Sequence, residues 1–311
     1  MSKATGYNAP LRIAVASGKG GTGKTTLSVA LALSASGPVT LIDCDVEEPN
    51  AALFLAREAE EAAVREQDVT VPIPVVDEAM CSGCGECAKI CRFNAIIIII
   101  KKDVTIFSDL CHSCGGCALV CPEKAIREEP RAIGLLREWK RGDLRFLQGE
   151  LDVGNAMSPP LIRAVKKQAA IYEADPDGPP SLTIIDCPPG TSCPMVTAVR
   201  GSNFALLVTE PTPFGLHDLT LAVATIRKMG IPFGVVVNRC DVGDDRVLKY
   251  CGAERIPVLA QIPNDRRVAE AYSTGQTLLA VDSPTGGQGY RRLMEKLLAD
   301  IANSVHGEAQ V

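Results

Sequence analysis

Short apolar runs separated by polar and glycine-rich stretches recur along the 311-residue chain. Continuous apolar strands of this kind are typical of parallel sheets that helices cover on both faces. The predicted core strands are 11–16, 38–43, 181–186, 204–209, 232–237 and 257–262. The predicted helices include 159–170, 216–229 and 291–304, the last with apolar residues at i, i+4 and i+8. This order of elements predicts an α/β fold with a mainly parallel, doubly wound sheet.

The middle of the chain departs from this pattern. Residues 51–68 are rich in Ala and Glu and are predicted to be helical. Pro72 and Pro74 then break the pattern, so 69–76 is predicted to be a linker.

Three further segments lie between this linker and the next predicted helix. Residues 135–145 carry four cations around Trp139 and are predicted to form a solvated helix face, with a returning strand at 151–153. Short strands are predicted at 95–100 and 104–107. The five-isoleucine run in the first of them is expected to be buried, because it would promote aggregation if exposed.

A glycine-rich loop connects the first apolar run to a helical segment. Gly18, Gly23, Lys24 and Thr25 fill the G-x-x-x-x-G-K-[ST] template of a phosphate-binding P-loop. Lys24 is expected to reach the β- and γ-phosphates, and the Thr25 hydroxyl to ligate Mg²⁺. The predicted phosphate-binding residues are Gly18, Lys19, Gly20, Gly21, Thr22, Gly23, Lys24, Thr25 and Thr26.

A second lysine, Lys19, directly follows Gly18. The resulting Gly-Lys-Gly-Gly-Thr-Gly-Lys-Thr-Thr resembles the deviant P-loop of the MinD/ParA/Mrp class of ATPases. In that class this signature lysine crosses a dimer interface to the partner's nucleotide. The resemblance implies ATP hydrolysis by a homodimer, or by a heterodimer with a related ATPase, in which Lys19 stabilises charge on the transferred phosphoryl group.

The same resemblance implies roles for polar residues that follow the predicted strands. Asp45 would orient the attacking water, Asp43 would lie near the Mg²⁺ shell, and Asp186 would be the Walker B aspartate. Gly190 would sense the γ-phosphate, and Asn238 would contact adenine. The predicted catalytic residues are therefore Lys19, Lys24 and Asp45, and the predicted magnesium residues are Thr25, Asp43, Asp45 and Asp186. The run Asn238-Arg-Cys-Asp also resembles a guanine-reading motif, but the signature lysine favours ATP.

Eight of the 13 cysteines form two copies of C-x₂-C-x₂-C-x₃-C that start 30 residues apart. The pattern resembles bacterial ferredoxins with two [4Fe–4S] clusters, in which the fourth cysteine of each run ligates the other cluster. This assigns one cluster to Cys81, Cys84, Cys87 and Cys121, and the other to Cys91, Cys111, Cys114 and Cys117. A zinc site is the alternative, but structural zinc is typically held by C-x₂-C pairs.

The remaining cysteines lie in the predicted ATPase part of the chain. Cys193 follows Asp186 by seven residues, as a cluster-bridging cysteine does in the nitrogenase iron protein, although a second motif of that kind is missing. We therefore predict that Cys44, Cys187, Cys193, Cys240 and Cys251 are small buried residues.

Charge and hydropathy exclude several classes of function. A net charge of −5 gives no electrostatic drive toward nucleic acid. No 18-residue apolar run or secretory h-region is present, which predicts a cytoplasmic protein without a transmembrane segment. The predicted domains are a discontinuous ATPase domain, 1–76 and 128–311, and an inserted α+β ferredoxin-like domain, 77–127.

These features together predict a Mg·ATP-hydrolysing iron–sulfur protein. We expect nucleotide-dependent dimerisation to be coupled to electron transfer through the clusters to an unknown redox partner. One alternative is an iron–sulfur cluster carrier, although the C-terminal C-P-x-C expected of the Mrp-like carriers is missing. The other is a positioning ATPase whose clusters sense redox state.

Overall fold

A computed structural model describes residues 10–55, 63–99, 103–155, 157–175, 178–281 and 289–307. Its strands are β1 Leu11–Ala16, β2 Val39–Asp43, β3 Arg65–Val76, β4 Ile96–Ile98, β5 Val104–Ile106, β6 Ile126–Arg141, β7 Leu144–Leu151, β8 Leu182–Asp186, β9 Phe204–Thr209, β10 Phe233–Asn238 and β11 Val258–Ile262. Its helices are α1 Lys24–Leu33, α2 Ala51–Phe54, α3 Glu86–Ile90, α4 Gly116–Val120, α5 Ser158–Glu173, α6 Cys193–Val199, α7 Pro213–Met229, α8 Arg246–Ala253, α9 Arg266–Ser273 and α10 Gly289–Gly307.

Nine strands form one sheet in the order β11-β10-β9-β1-β8-β2-β7-β6-β3. The strands from β11 to β7 are parallel to one another, and β6 is antiparallel to both β7 and β3. The prediction of a mainly parallel α/β sheet is therefore confirmed. Because parallel strands share their direction, β1, β2, β8, β9 and β10 all end at the same edge, where ligands bind in such folds.

Two apolar layers hold the sheet between helices, and strand β1 shows how. Its residues Ile13 and Val15 face the layer formed by α1, α2 and α10, whereas Ala14 and Ala16 face α5, α6, α7 and α8. This alternation places side chains from both faces out of water, which is why the strand has no polar side. Helix α10 packs into the first layer through Leu297 and Ile301, as its periodicity predicts.

The predicted helix at 51–68 is confirmed only at its start, Ala51–Phe54, and the predicted linker at 69–76 is wrong. Helix α2 ends at Phe54, and β3 begins at Arg65; the part of the predicted helix at 56–62 lies outside the described residues. The two prolines fit within β3 because it is an edge strand, where a missing backbone N–H breaks no inner ladder.

The predicted helix face at 135–145 is also wrong. These residues belong to β6 and β7, which pair as antiparallel neighbours with Trp139 opposite Phe146. The aromatic pair packs inward, with ring centroids 5.4 Å apart. The strand expected at 151–153 begins earlier and ends at Leu151. Alternating burial along β6, with Arg137 paired to the exposed Glu66 on β3, replaces the helical pattern.

The cysteine-rich segment forms a small unit between β3 and β6. It contains helices α3 and α4 and the antiparallel hairpin of β4 and β5. Burial of the isoleucine run is only partly confirmed: Ile96 is buried, Ile97 and Ile99 are exposed, and Ile100 lies outside the described residues. The domain limits at 77 and 127 stay a prediction. Among the helices in the described ranges, none is long and apolar enough to cross a membrane.

Candidate nucleotide site and cysteine-rich unit

The P-loop lies between the end of β1 and the start of α1, as the sequence predicts. Gly23 adopts a left-handed conformation, φ 94°, immediately before the first helical residue, Lys24. A side chain at Gly18 would place its Cβ 2.2 Å from the carbonyl oxygen of Asp218 in α7. Gly18 is therefore required by close backbone packing, while Gly23 is required by backbone conformation.

Two aspartates lie side by side at the carboxyl edge of the sheet. Asp43 on β2 and Asp186 on β8 are register partners, and both are fully buried. Burial and the charge of Asp186 raise the pKa of Asp43 well above its usual value. Burial also raises the pKa of Asp186, although the nearby Thr25 hydroxyl, the charge of Lys24 and the Ser28 hydroxyl oppose that effect.

The two aspartates differ in what they contact. Asp43 accepts backbone N–H bonds from Asp45, at 3.0 Å, and from Asn50 and Ala51, at 3.2 and 3.0 Å, so it holds the loop after β2. One oxygen of Asp186 accepts from Ser28 at 3.0 Å, and the other is buried without a described protein partner. A buried carboxylate oxygen without a protein partner, in a residue close to the Thr25 hydroxyl, suits Mg²⁺, which prefers hard oxygen ligands.

Asp45 is half-buried and lies between these aspartates and solvent. Burial raises its pKa to about 6, while the neighbouring Lys24 opposes the rise. Asp45 and Lys24 both line one cavity of about 430 Å³. This places the predicted water-orienting carboxylate and the predicted phosphate-binding lysine on the same open space.

The far wall of that cavity comes from segments after β10 and β11. Asn238 lines it and donates to the Thr22 carbonyl at 2.8 Å, which ties the β10 end to the P-loop. Apolar residues Tyr272 and Leu278 provide a surface for a planar base. Asp241, which a guanine-reading site would use for the base, instead accepts from the Asn264 N–H at 2.6 Å.

Gly190 lies beside the P-loop rather than deep in the cavity. Its N–H donates to the Ser17 carbonyl at 3.0 Å, so the loop after β8 and the P-loop are joined through backbone. The sheet thus collects the predicted nucleotide residues at one edge, although they are spread from Gly18 to Asn238 in the chain.

Sequence reasoning missed one residue at this edge, Glu210. It directly follows β9 and is buried, with its carboxylate 3.0 Å from the ammonium of Lys19 and 2.7 Å from the guanidinium of Arg239. It lies one position beyond its strand, whereas Asp43 and Asp186 are the last residues of theirs. A carboxylate directly after an apolar strand was the sequence feature that could have identified Glu210 as a residue of this edge.

The cysteine-rich unit brings one of the two predicted ligand sets together. A single small pocket is lined by Cys81, Cys84, Cys87 and Cys121, the set that combines one run with the fourth cysteine of the other. In the second set, Cys117 is buried close to Cys111 and Cys114; burial raises its pKa first, and those two thiols add to the rise.

The backbone of the unit repeats at the same interval as the cysteines. Left-handed residues occur in pairs 30 apart: Gly83 and Ser113, Gly85 and Gly115, and Asn94 and Lys124. Equivalent N–H···S contacts of 3.3 Å join Ala95 to Cys91 and Ala125 to Cys121. Each copy therefore bends the chain around its cysteines in the same way.

The arrangement of the cysteines bears on which metal group this unit could hold. Within the described ranges, no group of three or more His, Cys, Asp or Glu side chains has the arrangement to hold one ion. A [4Fe–4S] cluster makes a different demand, since each of its four irons takes its own thiolate and the sulfurs need not converge on one point. The pocket with four cysteines meets that demand in its donor set.

The other cysteines follow the expectation only in part. Cys44, Cys187 and Cys251 are buried, as predicted. Cys193 is exposed at the start of α6 and Cys240 is partly exposed, so the prediction is wrong for Cys193 and incomplete for Cys240. Cys240 lies in the loop that follows β10, where side chains reach solvent, whereas Cys193 is the first residue of α6.

Comparison with known proteins finds relatives that are similar over most of the chain. The chain is 30% identical over 276 residues to an uncharacterised protein of Methanocaldococcus jannaschii, covering 86% of this chain and 91% of that one. It is 26% identical over 307 residues to an iron-sulfur cluster carrier protein of Pyrococcus horikoshii, covering 92% and 85%. The structure of the cell division ATPase MinD of Pyrococcus furiosus shares the fold, with a TM-score of 0.54 and 20% identity over 93% of this chain and 98% of that one.

The family comparison covers most of the chain. The family model described as the CobQ/CobB/MinD/ParA nucleotide binding domain matches residues 13–278, a range that includes the P-loop, both buried aspartates and the cavity. It also spans the cysteine-rich unit. The chain belongs to this CobQ/CobB/MinD/ParA family of nucleotide-binding domains.

Proposed function

We propose that the protein hydrolyses Mg·ATP and uses its nucleotide state to control electron transfer through two [4Fe–4S] clusters. The observation that carries the proposal is that one pocket is lined by Cys81, Cys84, Cys87 and Cys121 in the same chain as a P-loop site. A redox partner protein would receive or supply the electrons.

The nucleotide part of the proposal rests on the carboxyl edge of the sheet. Lys24 and the backbone of the P-loop would bind the phosphates, and Thr25 and Asp186 would hold Mg²⁺. Asp45 would orient water, with Asp43 keeping its loop in place. A MinD structure from Pyrococcus horikoshii, similar in fold, is described as a complex with Mg-ADP, which supports the choice of nucleotide.

The dimer in the proposal rests on the family resemblance and on Lys19. Two protomers would enclose two Mg·ATP molecules, and Lys19 of each would approach the partner's phosphates. ATP-dependent dimerisation would then arrange the loops after Asp45 and Asp186, and hydrolysis would release them.

The cluster part of the proposal rests on the donor set. When bound, the clusters would carry single electrons. Cys81, Cys84, Cys87 and Cys121 would hold one of them, and Cys91, Cys111, Cys114 and Cys117 the other. The N–H groups of Ala95 and Ala125 point at cysteine sulfurs and would stabilise negative charge there.

A chain of contacts supports coupling between the two sites. The Val46 carbonyl, next to Asp45, accepts from the Leu151 N–H of β7 at 2.8 Å. Asp152 then donates to Ile133 of β6 at 2.9 Å. A change in the loop after β2 would therefore reach the strand that carries the cysteine-rich unit.

The last contacts of this hydrogen-bond series lie close to a predicted cluster ligand. Arg131 on β6 donates to Asp109 at 2.6 Å and to Asn155 at 3.4 Å. Asp109 belongs to a 3₁₀ turn that ends directly before Cys111. The predicted ligand Cys111 is thus tied to β6 and, through it, to the nucleotide side of the sheet.

A second candidate function is delivery of clusters to acceptor proteins. The similarity to a protein named iron-sulfur cluster carrier favours it, as does a 29% identity over 127 residues to a cytosolic Fe-S cluster assembly factor homologue of Drosophila willistoni. A carrier needs labile clusters, whereas an electron carrier retains them through many redox cycles.

The experiment that tests the proposal uses the anaerobically prepared full chain. We expect about eight iron atoms per chain, ATP hydrolysis that Lys19→Ala abolishes, and clusters that accept electrons reversibly without loss of iron. Absence of iron with intact ATPase activity would overturn the redox proposal. ATP-stimulated transfer of iron and sulfide to an apo-ferredoxin would favour the carrier.

A further inference from the structure

Glu210 is not among the described residues that line the nucleotide cavity, yet it is buried, with 8% of its surface exposed. A buried carboxylate needs compensating charge. Two cations provide it: the Lys19 ammonium at 3.0 Å from one carboxylate oxygen and the Arg239 guanidinium at 2.7 Å from the other. Each carboxylate oxygen therefore has its own cationic partner.

Lys19 and Lys24 are five residues apart in one loop but face different surroundings. Lys24 is buried and lines the nucleotide cavity, whereas Lys19 is partly exposed and is not one of the described residues that line it. The ammonium of Lys19 is instead held against the end of β9 by Glu210. In this conformation the Lys19 ammonium contacts Glu210 and does not line the cavity.

We propose that Glu210 is a positioning residue that holds Lys19 within its own protomer and must release it before Lys19 can act on a partner's nucleotide. The inference rests on the proposed function, because it assumes that Lys19 works across a dimer. The salt bridge between Glu210 and Lys19 then opposes ATP-dependent dimerisation, and dimers form only when the partner's phosphates attract Lys19 more strongly.

Arg239 makes such a release feasible. If Lys19 left a buried carboxylate without any counter-ion, the desolvation penalty would be severe. Arg239 stays on the other oxygen of Glu210, so the carboxylate keeps one charged partner while Lys19 is away. Because Arg239 also neutralises the Glu210 carboxylate, it weakens the attraction between Glu210 and Lys19.

This arrangement predicts opposite effects for two substitutions in one network. Glu210→Gln removes the charge that retains Lys19, so half-maximal dimerisation in Mg·ATP should need a protein concentration about three- to tenfold lower. Arg239→Gln leaves Lys19 as the sole cation on Glu210, so it should need a higher concentration.

The test measures dimerisation by analytical ultracentrifugation in Mg·ATP for the full chain, with Mg·ADP affinity measured in parallel. The Mg·ADP affinity identifies any direct effect of Arg239, which also lines the cavity. Glu254→Gln is the matched control, because Glu254 pairs with Arg227 at 2.6 Å on an exposed surface. Glu210→Asp keeps the charge on a shorter side chain, so it provides a second variant if Glu210→Gln does not fold.

The outcomes separate this inference from the proposed function. Easier dimerisation of Glu210→Gln, lost in the Lys19→Ala/Glu210→Gln double variant, supports it. Unchanged or weaker dimerisation of a folded Glu210→Gln protein with normal Mg·ADP affinity overturns it, even if Lys19→Ala abolishes hydrolysis. Normal ATP-dependent dimerisation and hydrolysis by Lys19→Ala would instead remove the two-lysine mechanism on which both depend.

Discussion

The candidate nucleotide site collects residues from distant parts of the chain, whereas the cysteine-rich unit takes all its predicted ligands from between Cys81 and Cys121. The first site is formed by strand ends that are already fixed by a large sheet with two apolar layers. The second has short helices and a two-stranded hairpin. The two sites therefore differ in the structure that positions their residues: a large packed sheet in one, and a few short elements in the other.

The two sites also differ in how deeply their side chains are buried. Asp43, Asp186 and Lys24 are buried at the carboxyl edge of the large sheet. In the cysteine-rich unit, helix α3 has no buried residue, and Leu119 of α4 is 87% exposed. Because metal binding contributes folding energy where a core is small, the unit should depend on its clusters, while the nucleotide site should not.

The largest expected effect is on nucleotide binding. Lys24→Ala removes a buried cation from the phosphate end of the cavity, so Mg·ATP affinity should fall at least about 30-fold, by the ~2–5 kcal/mol typical of a desolvated charge pair. Isothermal titration calorimetry measures it. Iron content should be unchanged in this variant; a parallel loss of iron would contradict the independence of the two sites.

The next largest effect is expected in the cysteine-rich unit. Cys87→Ser should remove one cluster, about half of the iron, and make the unit sensitive to limited proteolysis, because its buried core is small. Nucleotide affinity should stay at the level of the parent chain. Cys193→Ser, at an exposed cysteine outside the unit, is the control; an equal loss of iron there would contradict the assignment.

A smaller effect tests how tightly the P-loop is packed. Gly18→Ala forces Cβ against the Asp218 carbonyl, at 2.2 Å, and should lower the free energy of unfolding by about 1–3 kcal/mol. Gly20→Ala meets no atom within 4 Å and should change it far less. Thermal unfolding of the nucleotide-free chain compares them, and equal destabilisation by the two would count against the close approach to α7.

The smallest effect is a pH dependence. Because burial raises the pKa of Asp45 from 3.8 to about 6, folding favours its protonated form. That contribution to stability is complete below pH ~3.8 and is lost as pH rises through about 6. Asp45→Asn should therefore stabilise the nucleotide-free chain by ~1 kcal/mol at pH 7.5, allowing for partial exposure, and by less at pH 5.

Thermal unfolding at both pH values measures this difference. Glu295→Gln, on the exposed side of α10, is the control and should change little. A gain from Asp45→Asn that is larger at pH 5 than at pH 7.5 would show that the ionised carboxylate is stabilised, against the direction derived from burial.

The sequence predicted the sheet and the nucleotide edge well because their determinants are local. Apolar runs that end in Asp43 and Asp186, and a glycine loop between strand and helix, each identify their own structure. The register that aligns the two aspartates follows from parallel pairing.

What the sequence did not predict depends on contacts across elements. Pro72 and Pro74 read as breaks because only the sheet order makes β3 an edge strand. The cations around Trp139 read as a helix face because Glu66, the strand partner of Arg137, is remote in the chain. Glu210 was missed because its role needs Lys19 and Arg239 in space.

The central claim is that nucleotide state controls the clusters. The most direct test is an anaerobic redox titration followed by EPR, without nucleotide, with Mg·ADP and with a slowly hydrolysed Mg·ATP analogue, each repeated in Lys24→Ala. The account predicts a shift of tens of millivolts between states that the variant lacks, where ~59 mV is a tenfold change for one electron. Identical titrations in all three states would contradict control of cluster potential by nucleotide.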